Sequence, residues 1–93
     1  MAKLTADAAK SRLSDVPGWE LHGDAITRQF TFKSFPEAVA FVVRVGFDAE
    51  TADHHPDILI NYRRVRLTFS THSEGGLTEK DFTGAEKVNA LAP

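Results

Sequence analysis

The chain has 93 residues and a formal net charge of −2, from eleven Lys and Arg against thirteen Asp and Glu, which argues against binding to a nucleic-acid backbone by bulk electrostatics. With 42% hydrophobic residues, seven Phe and 26% charged residues it has the composition of a globular domain, and a chain of this size, read as one domain over 1–93, buries roughly 60–65% of its unfolded surface. It contains no cysteine, so neither a disulfide framework nor a thiolate zinc site supports the core.

From the N-terminus, Thr5 is a good N-cap and Asp7 suits the positive helix end, so a short helix with Leu4, Ala8 and Leu13 near one face is predicted there. Val16-Pro17-Gly18 breaks it. Trp19 to His22 reads as a short strand, Gly23-Asp24 as a tight turn, and Ile26 to Lys33 as a second strand. In that strand Ile26, Phe30 and Phe32 share one face, and Arg28 falls on the same face as an exception. Ser34-Phe35-Pro36-Glu37 has the pattern of a capping box with Pro in the first turn, and opens a helix expected to run to about Ala52. Phe35, Val39, Val42 and Gly46 form its stripe, with Ala38, Phe41 and Val45 beside it.

After His54-His55-Pro56 the residues alternate again, with Ile58, Ile60 and Tyr62 on one side, which predicts a third strand. Arg63-Arg64 is expected to turn the chain into a fourth strand reaching His72, and the Arg63-Arg64-Val65-Arg66 cluster reads first as a solvated turn and strand face, with contact to an anionic partner or ligand as the alternative. Glu74-Gly75-Gly76 interrupts, and Thr78 caps a final helix carrying Phe82, Ala85, Val88 and Asn89 at helical spacing. The fold class is therefore α+β: a four-stranded antiparallel sheet with helices on one face, in the order α-β-β-α-β-β-α. Two open edge strands in so small a sheet lead us to expect pairing with another subunit. No apolar run is long enough to cross a bilayer, the N-terminus lacks the apolar centre of a secretory signal, and a cytoplasmic location is the default expectation.

The stretch from Glu50 to His72 holds three of the four histidines. Pro56 disfavours helical geometry at His55, so the two adjacent imidazoles should leave a helix-to-strand junction in different directions. His72, at the far end of the paired strand, is placed to join them. Three readings stay open on the residues alone: solvated histidines at loop ends, a metal site, and acid–base chemistry. Neither a His-Glu-x-x-His helix nor histidines four apart are present, which counts against metal. An imidazole cluster can give a proton to a leaving hydroxyl and take one from a nitrogen, as a dehydration requires. Glu50 and Asp53, in the last turn of the helix before His54, are carboxylates able to orient an imidazole, and Asp81 reads first as a capping residue. Trp19 can stack on a planar ring or plug the core.

The set Glu50-x-x-x-His54-His55-Pro56, Tyr62, His72 and Asp81, with Gly18-Trp19, the Phe30 to Phe35 stretch, Ser70-Thr71-His72 and Gly76-Leu77-Thr78-Glu79, resembles the pterin-4a-carbinolamine dehydratase family over nearly the whole chain. The resemblance implies an α+β fold assembled into homodimers or homotetramers. It also implies loss of water from 4a-hydroxytetrahydropterin to give quinonoid dihydropterin, in pterin recycling coupled to an aromatic amino acid hydroxylase, with no metal or organic cofactor. It makes His54, His55 and His72 the catalytic trio, with His54 and His72 moving protons and His55 holding the pterin. Trp19, Ser70 and Thr71 would wall the pocket, and Glu50, Asp53 and Asp81 would support it. Animal members of the family also bind a transcription factor as a dimerisation cofactor, so a protein-binding role on the same fold is the alternative.

Overall fold

The computed structural model of the chain describes residues 2–93. The elements are α1 (Ala6–Arg12) with a 3-10 turn over Leu13–Asp15, β1 (Glu20–His22), β2 (Ala25–Thr31), α2 (Phe35–Ala52), β3 (Asp57–Asn61), β4 (Arg64–Phe69), a 3-10 turn over His72–Glu74, and α3 (Glu79–Leu91). The strands form one antiparallel sheet in the order β1-β2-β4-β3. The α-β-β-α-β-β-α order and the α+β class are as the sequence implies.

Alternation decides which face meets the helices. Phe30 pairs with Val65, Ile26 with Phe69, and Ile60 with Val65, so the apolar residues of three strands point the same way. Onto that face α2 lays Ala38, Phe41, Val45 and Ala49, and α3 lays Phe82, Ala85 and Val88, all buried. The line of α2 that packs is thus one step round from the expected stripe. Phe35 is 49% exposed, and Val43 and Phe47 stand out from the same outer flank at 52% and 73%.

Arg28, the exception on the apolar face of β2, is accommodated by folding back. Its guanidinium lies 4.3 Å from the Phe30 ring centroid and donates to Asn89 Oδ1 at 2.6 Å and to the Pro17 carbonyl at 3.2 Å. Gly18, at φ 90°, makes room for it: a Cβ there would come within 2.7 Å of the guanidinium.

Several boundaries differ from the sequence reading for identifiable reasons. Ser34 accepts from the Glu37 N–H, but the reciprocal half of a capping box is found at α3 instead, where Thr78 and Asp81 cap each other. The β3–β4 turn uses Tyr62 and Arg63, with Tyr62 at φ 56° and 65% exposed, so Tyr62 leaves the strand and Arg64 joins the next one. Strand β4 stops at Phe69 because Thr71 exchanges both backbone hydrogen bonds with Gly76, which turns the chain on itself through His72–Glu74. None of the helices is long and apolar enough to cross a membrane, among the described residues.

Candidate active site

The C-terminal end of α2 sets the geometry. Asp53 adopts a left-handed conformation (φ 53°, ψ 41°), its N–H donates to the Glu50 carbonyl at 3.2 Å, and the His54 N–H donates to the Ala49 carbonyl at 3.1 Å. This pair of bonds closes the helix and swings the chain toward the sheet. Pro56 then holds the chain extended into β3, whose first residue, Asp57, lies opposite Thr68. The segment before β3 therefore runs beside the segment that follows β4.

His54 turns inward. Its ring lies nearly parallel to Phe69, 5.6 Å between centroids at 13°, and its side chain is only 13% exposed. Nε2 lies 2.5 Å from Oδ1 of Asp81, a carboxylate with no solvent exposure. The other oxygen, Oδ2, accepts from the Thr71 hydroxyl at 2.8 Å and the Thr78 N–H at 2.9 Å. Because the Thr71 proton goes to Asp81, the 2.8 Å contact between Thr71 and Thr78 has the Thr78 hydroxyl as donor. Every donor around the carboxylate is thus accounted for, and no buried side-chain polar atom of the described residues lacks a partner. With the Asp81 carboxylate as acceptor, the His54 Nε2 carries the hydrogen of this contact, and Nδ1 is the ring nitrogen left for proton exchange.

His55 turns outward, 55% exposed, with Nε2 2.8 Å from Oε1 of Glu50, which is itself 82% exposed. Glu50 therefore partners His55 rather than His54. His72 is exposed at the head of the 3-10 turn, one residue past Thr71. Ser70 donates to the Asp24 carbonyl at 2.7 Å, and Asp53 is exposed at the helix end. Trp19 is in the core: its ring is 5% exposed, packs against Phe30 and Phe69, and donates its N–H to Asn89 Oδ1 at 2.8 Å.

A cleft of about 250 Å³ opens between α2 and α3. It reaches His54 but neither His55 nor His72, and its floor is apolar, with Phe69, Val45 and Val88. Lys80 and Lys87 stand on its α3 wall and Asp48 on its α2 wall. Asp48, Lys80 and Lys87, and Thr78 as a partner of the Asp81 network, do not emerge as site residues from the sequence reading. The available signal was Lys80, Gly84 and Lys87 at i, i+4 and i+7, a spacing that puts them on one helix face.

Comparison with known proteins fits this architecture. A protein of Thermomicrobium roseum named as a candidate pterin-4-alpha-carbinolamine dehydratase is 51% identical over 92 residues, covering 99% of each chain. The crystal structure of a transcriptional coactivator/pterin dehydratase from Brucella melitensis superposes with a TM-score of 0.92 at 42% identity, covering 98% of this chain and 99% of that one. A pterin dehydratase-like protein identified as a RuBisCO assembly factor in the alpha-carboxysome superposes at a TM-score of 0.71 and 25% identity, over 84% of this chain and 93% of that one. The family model for pterin 4 alpha carbinolamine dehydratase matches residues 2–91, and this chain belongs to that family.

Proposed function

We propose that this protein removes water from a 4a-hydroxytetrahydropterin to give the quinonoid dihydropterin by histidine acid–base catalysis. The reaction needs a proton delivered to the departing 4a-hydroxyl and the N5 proton taken up, so that water leaves and no net proton is gained. His54 and His72 are the groups assigned to these transfers, with His55 holding the pterin. The observation that carries the reading is the pairing of His54 with a fully buried Asp81, which fixes one imidazole's tautomer and orientation as an acid–base group requires. Glu50 supports His55 through their 2.8 Å contact, the Ser70-Thr71 backbone is the wall of the pterin pocket, and Asp53 shapes the junction. The protein then serves pterin recycling for an aromatic amino acid hydroxylase in the cytoplasm, as a homodimer or homotetramer.

A second reading, as a protein-binding cofactor, is favoured by the outer flank of α2, where Phe35, Val43 and Phe47 are exposed. The solved relatives named as a coactivator/pterin dehydratase and as an assembly factor lend it the same direction.

The test is dehydration of 4a-hydroxytetrahydropterin generated in situ by a phenylalanine hydroxylase and followed by absorbance. Wild type accelerates the step, and His54→Ala and His72→Ala each lose about two to four orders of magnitude of that acceleration while remaining folded. A wild type no faster than the spontaneous reaction removes the enzymatic reading and leaves the protein-binding one.

A further inference from the structure

The cleft between α2 and α3 is lined, His54 apart, by residues that the dehydration reading leaves without a role. Its apolar floor is open because small residues border it. Ala49 and Ala52 leave space on the α2 side, and on the α3 side Gly84 is in such close contact with the Phe69 ring that a Cβ would come within 2.7 Å of it. Around this floor stand three charges: Lys80 and Lys87, exposed, and Asp48, half-buried. None of the three joins an ion pair within 4 Å among the described residues.

We propose that this cleft is a binding site for a small zwitterion with a flat apolar body, an amino acid bearing an aromatic side chain. The carboxylate meets Lys80 and Lys87, the ammonium meets Asp48, and the ring lies on the floor formed with Phe69. Each alternative class leaves one feature uncompensated. A simple aromatic anion would bring its charge beside Asp48, an aromatic amine would face two ammonium groups, and a neutral apolar molecule would use none of the three charges. The volume sets the size: about 250 Å³ holds a ligand of roughly a dozen non-hydrogen atoms, well below a drug-sized one. Because the ring of His54 also lines the cleft, occupancy is felt at that imidazole. The inference does not depend on the dehydratase reading, since it is read by binding alone.

The experiment titrates L-phenylalanine into the full-length protein, followed by calorimetry and by NMR of the backbone amides and histidine rings. Benzoate and phenethylamine serve as probes carrying one charge each. Saturable binding of phenylalanine is expected, of millimolar order for so few contacts, with shifts at Ala52, Gly84 and His54. Ala52→Leu, which fills the cleft and leaves all three charges in place, weakens binding about tenfold or more. Asp48→Asn weakens phenylalanine by about two- to fivefold and leaves benzoate as tight or tighter. Circular dichroism verifies that both variants are folded. No saturable shift with phenylalanine, or unchanged binding in folded Ala52→Leu, overturns the site. Benzoate binding as tightly as phenylalanine to wild type, with both indifferent to Asp48→Asn, overturns the zwitterion.

Discussion

Asp81 shows how much one side chain can organise. It caps α3 through the Thr78 N–H, ties in Thr71, and holds His54 at 2.5 Å, all without contact with water. An amide is not equivalent: with its oxygen on the Thr71 hydroxyl and the Thr78 N–H, its NH₂ must donate to His54 Nε2, which forces the hydrogen onto Nδ1 and replaces charge-assisted hydrogen bonds by neutral ones. Asp81→Asn should therefore lower stability by about 2–4 kcal/mol in urea unfolding and cut dehydration by about two orders of magnitude. Stability and dehydration both unchanged would mean that the network neither supports the fold nor orients His54. In the sequence Asp81 looked like a cap, and it is one. Its partner His54 lies 27 residues away, so no local pattern shows that contact.

At the scale of elements, the close of α2 is the decisive local event, since it directs His54 inward and His55 outward. Asp53 holds it with a left-handed backbone that a non-glycine residue adopts at some cost. Asp53→Gly should raise stability by about 0.5–1 kcal/mol in thermal or urea unfolding with dehydration unchanged. A gain in stability accompanied by lost dehydration would give the carboxylate a part in the reaction beyond shaping the helix end. Helix starts were legible because an N-cap and the backbone N–H that donates to it are three residues apart, as at Thr5 and Ser34. The end of β4 was not legible. Its alternation continues to His72, but the chain leaves the ladder where Thr71 finds Gly76, a pairing decided by the turn between them.

For the molecule as a whole, one side of the sheet is covered by its own helices, while the outer flank of α2 carries Phe35, Val43 and Phe47 facing out and β3 is an open edge. Light scattering should find the wild type as a dimer or tetramer, and Phe47→Glu should shift it toward monomer with an unchanged circular dichroism spectrum. A monomeric wild type would instead leave that flank for a different protein. The sequence by itself determined the order of elements, their caps, the strand alternation, the histidine set and the family, because each is written in residues near one another or in a spaced motif. Only the tertiary structure decided that β2 lies beside β4, that α2 packs through Ala38, Phe41, Val45 and Ala49, that Asp81 holds His54 while Glu50 holds His55, and that Trp19 is a core residue bonded to Asn89. These depend on how separate elements pack, where the direction of a helix face and the reach of a side chain are settled by partners distant in the chain.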